Sequence, residues 1–303
     1  MFTITTAQPE EREAAFGLVF QYLDEKERGV RVANALLLVS TGELDPAGIL
    51  VVREGVQLRG GLVCLPLRGA GGLLWPPHIQ AGPQQLSMEN QLLQAGLTWL
   101  RSKGAKLVQA LLRADETALA GPLMRNGFNH ITRLHYLKHD LQGRASIWPN
   151  LAVQTYSPAN RRLFYDVLLR TYEGTLDCPE LNGLRTIEEI IDGHHAQGEF
   201  RPERWWLVSD GPEPVGVVLA TAIAEGESWD LSYVGVVPEA RGRGWGRKLA
   251  QLAIAAARTA GAGQITVAVD TRNRPAWNLY VALGFEPTGE REVFLNFLHR
   301  PRT

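Results

Sequence analysis

The chain has 303 residues, of which 45% are hydrophobic and 21% are charged, a composition typical of a folded protein with a large core. At about 100–200 residues per domain, this length predicts two domains. The formal net charge is -1, so the composition argues against a nucleic-acid-binding protein.

The cysteines and the N-terminal stretch bear on the cellular compartment. Cys64 and Cys178 lie far apart in the sequence and show neither metal-ligand nor disulfide spacing, so we expect two reduced thiols and no metal site. Residues 1–10 lack the basic and apolar regions of a signal peptide, and no apolar run is long enough to cross a membrane. These features predict a cytoplasmic protein without a membrane partner, and they leave its oligomeric state open.

The first half of the chain predicts an alternation of strands and helices. A short strand at 2–5 precedes a helix that begins at Pro9, and a second helix is predicted at 30–39. The later elements are strands at 49–52, 58–67 and 72–75, a helix at 88–101, a strand at 107–112, a helix at 116–125 and a strand at 134–140. Residues 141–150 break this pattern and predict a linker between a domain at 1–140 and a domain at 151–303.

The second half repeats this order of elements. Its predicted elements are helices at 158–171 and 187–196, strands at 205–209, 215–223 and 229–237, a helix at 246–260, a strand at 264–270, a helix at 275–283 and a strand at 293–298. A shift of 157 residues superimposes Gly104 on Gly261 and Gly127 on Gly284. The two halves are therefore predicted to be copies of one fold.

A glycine-rich stretch, VVPEARGRGWGRKL at 236–249, lies between a predicted strand and a predicted helix. Pro238 ends the strand because it cannot donate to a sheet ladder. Three glycines then allow backbone N–H groups to converge at a helix N-terminus, where an anion is favoured. Basic side chains surround them: Arg241, Arg243, Arg247 and Lys248. The stretch predicts a diphosphate-binding loop, and a flexible surface turn is the alternative.

Two common phosphate-binding motifs do not fit this stretch. A dinucleotide fingerprint requires G-x-G-x-x-G, but Arg247 stands at the place of its last glycine. A P-loop requires a glycine before its lysine and a Ser or Thr after it, whereas Lys248 follows Arg247 and precedes Leu249.

The spacing Arg241-x-x-Gly244-x-Gly246 resembles the coenzyme A signature of the GNAT family of N-acetyltransferases, [QR]-x-x-G-x-[GA] after a V-x-P strand end. A second stretch, NRPAWNLYVALGF at 273–285, is by itself consistent with an amphipathic helix ended by Gly284. Its spacing, however, resembles the other characteristic stretch of the same family, and the two in this order are more specific than either alone. The resemblance covers residues 151–303. Residues 1–140 share only the order of elements and lack the signature residues.

This resemblance implies an α+β fold with two tandem GNAT-like domains, each a mixed, mostly antiparallel central sheet flanked by helices. The first copy lacks the signature residues: Gln84, Ser87, Glu89, Glu116 and Leu123 stand opposite Arg241, Gly244, Gly246, Asn273 and Tyr280. We therefore expect the second copy alone to bind the coenzyme.

The resemblance also implies roles for individual residues. Acetyl-CoA is the expected cosubstrate, without a metal, and a backbone N–H at Val236 or Val237 is expected to polarise its thioester carbonyl. Tyr280 is the expected general acid for the leaving thiolate. The expected coenzyme-binding residues are Val236, Val237, Arg241, Gly242, Arg243, Gly244, Trp245, Gly246, Arg247 and Asn273.

The general base is less well defined. Histone-type family members carry a catalytic Glu eleven residues before the start of the glycine signature, and counting back from Arg241 leads to Asp230. A solvated aspartate at a strand edge is the alternative interpretation of this residue. His194 and His195 are rival bases, although a His pair at a helix end is more often a surface feature.

The sequence thus predicts an acyltransferase, an acetyl-CoA-dependent N-acetyltransferase that acts on a primary amine of a small molecule or peptide. The alternatives are a catalytically silent acyl-CoA-binding sensor and a nucleotide-binding protein. The resemblance further implies an acceptor site formed in part by residues 171–185, where acidic side chains suit a cationic amine and tryptophans offer an apolar wall. The residues in question are Tyr172, Glu173, Asp177 and Glu180, and Trp205, Trp206 or Trp229.

Overall fold

The computed structural model describes residues 1–142, 148–223 and 227–298. The chain divides into two compact units, one formed by Met1–Ile131 with the chain from Glu292 onward, and the other by Thr132–Arg291. Within the described ranges, no helix combines the length and the apolarity needed to cross a membrane.

The first unit is a mixed sheet flanked by helices. The strands, in order across its sheet, are β1 (Thr3–Thr6), β2 (Ile49–Glu54), β3 (Gln57–Leu67), β4 (Gly71–Ile79), β5 (Leu107–Leu112) and the last part of β12 (Glu286–Phe297). β4 and β5 pair in parallel and the other recorded pairs are antiparallel. The helices are α1 (Arg12–Val19), α2 (Glu25–Ser40), α3 (Gln85–Ser102) and α4 (Ala120–Arg125).

The second unit has the same plan. The strands, in order across its sheet, are β6 (Asn129–Asp140), β11 (Gln264–Asp270), β10 (Ser228–Val236), β9 (Glu213–Ile223), β8 (Trp205–Asp210) and β7 (Ala152–Thr155). Here β10 and β11 are the parallel pair. The helices are α5 (Arg161–Thr171), α6 (Ile187–His195), α7 (Trp245–Thr259) and α8 (Arg274–Ala282). The sequence did not predict β7, because all four of its residues are exposed and the apolar alternation of a strand is missing.

One helix in each unit buries an apolar stripe on its own sheet. The buried side chains are Leu92, Leu93, Leu97 and Leu100 in α3 and Leu249, Ala250, Ala253 and Ala257 in α7. A fully buried leucine contributes about 1.5–3 kcal/mol. The small alanines bring α7 close to β9 and β10, which positions the loop before this helix.

The internal repeat predicted from the sequence is confirmed. The same shift of 157 residues carries Gly71–Ile79 onto Ser228–Val236 and Asn129–Asp140 onto Glu286–Phe297, so β4 matches β10 and β6 matches β12 at both ends. The paired glycines, Gly104 with Gly261 and Gly127 with Gly284, all have φ between 84° and 90°. This left-handed conformation is the usual end of a helix.

The compact units differ from the domain boundaries expected at 140 and 151. Residues 134–140 of β6 pair with β11 of the second unit, and residues 292–297 of β12 pair with β5 of the first. The last strand of each copy therefore belongs to the sheet of the other copy. Sequence patterns do not reveal such an exchange, since the two strands have equal length and either one completes either sheet. Residues 143–147 of the expected linker lie outside the described residues.

Candidate active site

A cleft opens where the parallel strands β10 and β11 separate. Their recorded pairs run from Ser228–Gln264 to Asp230–Thr266, although β10 continues to Val236 and β11 to Asp270. Beyond this point the facing backbone groups have lost their ladder partner. An extended ligand with amide groups can occupy such a gap as a further strand would.

A β-bulge in β10 accompanies the separation. Asp230 pairs with Thr221, but Tyr233 pairs with Leu219, so β10 advances three residues while β9 advances two. The extra residue bends and twists a strand. The bulge therefore places Asp230 where the cleft begins.

The glycine-rich stretch forms a loop that leads into α7. Gly242 and Gly244 have φ of +72° and +81°, a region in which side chains are strained, and an added Cβ would meet nothing within 4 Å. These two glycines are needed for conformation, and the space beside them is open. An added Cβ on Gly246 would lie 3.1 Å from Cδ1 of Leu279, so this glycine instead allows α7 to pack closely on α8.

Unpaired N–H groups mark the start of α7. Gly244 is the N-cap and provides no side-chain cap, and the first helical bond runs from the N–H of Lys248 to the carbonyl of Gly244. The N–H groups of Trp245, Gly246 and Arg247 therefore have no acceptor within the helix. With the helix dipole, which is worth about 0.3–1 kcal/mol for a nearby charge, they fit an anion such as a diphosphate.

The side chain of Arg241, which stays a predicted coenzyme ligand, is engaged within the protein. Its guanidinium donates to the carbonyls of Thr171, Gly174 and Val236 at 3.0, 3.3 and 3.1 Å. Arg241 thus ties the glycine loop to the end of α5 and to the end of β10. It holds the loop in shape, and its charge is committed to backbone carbonyls.

Further positive charge beside the loop comes from three other basic residues. Arg243 and Arg247 are exposed, and Arg243 forms a pair of 3.3 Å with Asp210. The ammonium of Lys248 lies 4.2 Å from the ring centroid of Trp245, which is itself buried. These three cations are placed to meet a phosphate at the start of α7.

The two expected donors to a thioester carbonyl differ in availability. The N–H of Val237 donates to the carbonyl of Val215 at 3.0 Å, so it is used by the neighbouring strand and is not available. Successive N–H groups of a strand face opposite edges. The N–H of Val236 therefore faces the edge toward β11, where the cleft lies.

Tyr280 lies on α8 and is 6% exposed, with its ring edge-on to Phe285 at 5.3 Å. Among the described residues its hydroxyl has no hydrogen-bond partner. Burial raises the pKa of Tyr280, and the charges of Asp177 and Asp230 raise it further. The phenol is therefore protonated at neutral pH and has its proton free to donate.

Asp230 is half-buried and held in place. Its carboxylate accepts from the hydroxyls of Thr266 at 2.9 Å and Ser232 at 3.1 Å. Burial raises the pKa of Asp230, while these two hydrogen bonds oppose the change. Asp230 is thus a fixed, partly desolvated carboxylate rather than a solvated one.

His194 and His195 lie among aromatic rings rather than on an open surface. The ring of His194 is 5.8 Å from that of Tyr233, and the ring of His195 is 4.1 Å from Phe200 and 4.9 Å from Trp205. Burial lowers the pKa of His194 to about 4. His194 is therefore neutral at pH 7 and is a weak proton acceptor.

The loop between α5 and α6 is fastened to the end of β11 by its acids. Asp177 accepts from the N–H of Asp270 at 2.9 Å and from Nδ2 of Asn273 at 3.2 Å. Glu180 forms a bidentate pair with Arg272, with distances of 2.6 and 3.0 Å. Two of the acids expected to attract an amine are thus engaged in holding the loop.

Asn273 is also engaged at both ends of its amide. Its Oδ1 caps α8 by accepting from the N–H of Ala276 at 3.2 Å, while its Nδ2 reaches Asp177. Asn273 therefore orients the helix that carries Tyr280. As a direct ligand of the coenzyme it stays a prediction.

The tryptophans expected as an apolar wall are core residues: Trp205, Trp206 and Trp229 are 0%, 6% and 3% exposed. The bulged part of β10 instead presents Tyr233, whose ring contacts Tyr172 at 5.3 Å. Sequence analysis missed Tyr233, because the bulge that re-aims it depends on pairing with β9.

Comparison with known proteins bears on this geometry. The acetyltransferase (GNAT) family matches residues 168–285, which contain the cleft, the glycine loop and α8. The chain is 42% identical to the mycothiol acetyltransferase of Thermobispora bispora over 267 residues, 85% of this chain and 87% of that protein. It is 32% identical to the mycothiol acetyltransferase of Nocardia farcinica over 146 residues, 40% of this chain and 46% of that protein.

The fold is also shared with a solved structure. A GCN5-related N-acetyltransferase from Sphaerobacter thermophilus aligns with a TM-score of 0.65 at 19% identity, covering 99% of this chain and 97% of that chain. The predicted α+β class with two tandem GNAT-like domains is confirmed. The chain belongs to the GNAT family of acetyltransferases, and it is an acyltransferase.

Proposed function

We propose that the second unit is an acetyl-CoA-dependent N-acetyltransferase that transfers an acetyl group to a primary amine by direct attack on the thioester. The observation that carries this proposal is the cleft between β10 and β11. It begins at the fixed carboxylate of Asp230, and β10 leads from it to the glycine loop.

The cleft and the loop together suit the two parts of the coenzyme. The N–H groups that open α7, with the exposed backbone at Gly242 and Gly244, suit the diphosphate. The unpaired edge of β10 suits the amide groups of the pantetheine arm, which hydrogen-bonds as a strand does. The N–H of Val236 suits the carbonyl oxygen of the thioester, where negative charge develops.

The reaction requires two proton transfers, and one side chain is available for each. As the C–N bond forms and the C–S bond breaks, Asp230 accepts the proton that leaves the amine. Tyr280 donates its proton to the departing sulfur. Exchange with solvent then restores both side chains, so the site ends each cycle as it began.

The relatives at 42% and 32% identity are named mycothiol acetyltransferases, so an acceptor of the mycothiol type is the first one to test. Tyr172 and Tyr233, beside the bulge, are the side chains we assign to the wall of the acceptor site. The names of these relatives support this acceptor.

The test is an acceptor screen with acetyl-CoA, in which free thiol release and the acetylated product are both measured. Amine-dependent release of thiol with formation of an amide supports the proposal. Saturable binding of acetyl-CoA without turnover on any amine of the panel would favour the sensor alternative. Preferential binding of NAD or ATP over coenzyme A would favour the nucleotide-binding alternative.

A further inference from the structure

The first unit keeps a cleft at the position that corresponds to the active-site cleft of the second. β4 and β5 pair in parallel from Gly71–Leu107 to Leu73–Gln109, and the shift of 157 residues carries this ladder onto that of β10 and β11. A cavity of about 330 Å³ lies beside the separating strands. Its size is within the range of small-molecule sites.

This cleft lacks the groups that acetyl transfer needs. Leu73 stands where the second copy has Asp230, and Leu123 stands where it has Tyr280. In β4, Pro76 stands where β10 has Tyr233, and a proline has no N–H to offer a ligand. The cavity is therefore suited to binding and not to catalysis.

The coenzyme is also an unsuitable occupant. Glu89 stands at the place of Gly246, and it is buried, paired with Arg125 and hydrogen-bonded by Gln85 at 2.9 Å. This carboxylate is directed to Arg125, and Gln85 and Ser87, both within α3, stand at the places of Gly242 and Gly244, so the first copy does not form the glycine loop that suits a diphosphate. The ligand of this cavity therefore carries no phosphate at the start of α3.

Most of the cavity wall is apolar. Its side chains come from α1, α2 and the sheet, and the rings of Phe20 and Trp75 lie 5.4 Å apart. The main apolar lining residues are Val19, Phe20, Leu38, Trp75, Leu111 and Leu112. These residues favour a ligand with an aliphatic or aromatic group.

A buried carboxylate supplies one polar contact. Glu116 accepts from the hydroxyl of Tyr22 at 3.1 Å and from the N–H of Arg113 at 2.8 Å, and Nε of Arg113 lies 3.2 Å away. A carboxylate has about four acceptor positions, so one remains for a ligand. The oxygen of Tyr22 also keeps its lone pairs, because its proton points to Glu116. Together these two residues suit an ammonium group.

A guanidinium supplies the opposite charge. Arg31 lies one helical turn before Asn34 and Ala35 on α2, and all three line the cavity. The guanidinium of Arg31 lies 3.7 Å from the carboxylate of Glu27. That carboxylate lies closer to the guanidinium of Arg113 than to that of Arg31. Arg31 therefore keeps N–H donors for a carboxylate of a ligand.

We propose that this cavity binds a free apolar amino acid. Its ammonium group meets Glu116 and Tyr22, its carboxylate meets Arg31, and its side chain lies against Phe20 and Trp75. A simple amine leaves Arg31 unused, and a simple acid leaves Glu116 unused, whereas a zwitterion satisfies both charges of a small apolar cavity. This site is separate from acetyl transfer and does not depend on the function proposed for the second unit.

The test is calorimetric titration of the full chain with two matched sets of ligands. One set is leucine, 3-methylbutylamine and 4-methylpentanoate, and the other is phenylalanine, phenethylamine and 3-phenylpropanoate. We expect the amino acid of at least one set to bind, and its amine and acid analogues to bind at least about tenfold more weakly. The proposal would be overturned if an amine or acid analogue bound as tightly as the amino acid of its set. It would also be overturned if neither amino acid bound.

Two variants tie the binding to the cavity. Arg31→Gln should weaken binding of the amino acid about tenfold or more and leave binding of the amine analogue unchanged. The affinities of the two ligands should therefore become similar. Arg28→Gln is the matched control, since it removes the same charge from the same helix but does not line the cavity. Because Arg31 is partly exposed, its variant should fold, which a melting curve verifies. Unchanged discrimination in a folded Arg31→Gln variant would also overturn the proposal.

Discussion

The carboxylate of Asp230 accepts a hydrogen bond of 2.9 Å from the hydroxyl of Thr266, the residue that faces it at the last recorded pair of β10 and β11. This contact holds the proposed base where the strands part. It also connects the base to the edge of the sheet along which the coenzyme is proposed to lie. Position and partial burial, rather than the residue type alone, make Asp230 the leading candidate.

Asp230→Asn should lose kcat/KM most strongly at low pH and recover in part at high pH, where more of the amine is already neutral. Burial raises the pKa of Asp230, so the wild-type rise of kcat/KM with pH should lie above the ordinary aspartate value of about 3.9. The pH profiles of both proteins are measured with one acceptor. Asp192→Asn, at an exposed position of α6, is the matched control.

A loss of Asp230→Asn activity confined to KM, with an unchanged pH profile, would mean that Asp230 attracts a cationic acceptor and does not take its proton. Wild-type kinetics across the pH range would remove Asp230 from the mechanism. The base would then be sought at His194, His195 or solvent.

Tyr280→Phe should lower kcat by about 10²–10⁴-fold with little change in coenzyme affinity, because it removes the proposed acid and keeps the ring. Within the part of the chain that the structure describes, the hydroxyl makes no hydrogen bond, so the free energy of unfolding should change by less than about 0.5 kcal/mol. Tyr165→Phe is a control outside the cleft. An unaltered kcat in Tyr280→Phe would show that Tyr280 is an ordinary core aromatic.

Gly244→Glu should abolish binding of acetyl-CoA, because the added carboxylate would lie at the proposed phosphate site. Gly261→Glu is the matched control: Gly261 also has a positive φ and open space, but it lies at the other end of α7. Both variants should lose roughly 1–2 kcal/mol of stability from backbone strain. Calorimetry should detect binding in the control alone, and retained affinity in folded Gly244→Glu would contradict the diphosphate-binding loop.

Arg241→Gln and Arg247→Gln should differ in kind. Arg241 donates to three carbonyls, so its loss should lower the free energy of unfolding by about 1–2 kcal/mol, discounted for its exposure. Arg247 is exposed, so its loss should change the free energy of unfolding by less than about 0.5 kcal/mol. Its loss should instead weaken binding of the coenzyme. Denaturant melts and titrations on both variants measure the contrast. The same effect in both would mean that the two arginines share one role.

Acetyl-CoA should bind with a stoichiometry near one per chain. The second unit has the glycine loop, while the first has buried Glu89 paired with Arg125 at the corresponding place. Calorimetric titration of the intact chain gives the number directly. A value near two would show that the first unit accommodates the diphosphate despite Glu89.

Several features of this protein could be predicted from the sequence because they depend on residues close together in the chain. The positive φ of Gly242 and Gly244 follows from the local need for glycine in a loop before a helix. The repeat follows from element order and from glycines such as Gly104 and Gly261 that end equivalent helices. The glycine signature and the 273–285 stretch have fixed spacing, so they were recognisable without any contact information.

Other features were decided by tertiary structure, because they depend on partners distant in the chain. Arg241 is committed to carbonyls near residue 171, some 70 residues away, and sequence spacing did not show this. Trp205 and Trp229 face the core because of sheet pairing. Asp230 lies at the mouth of a cleft because β10 and β11 part after its pair with Thr266, where β10 also bulges against β9. The exchange of β6 and β12 between the sheets is likewise a choice between equivalent partners, which local patterns leave undetermined.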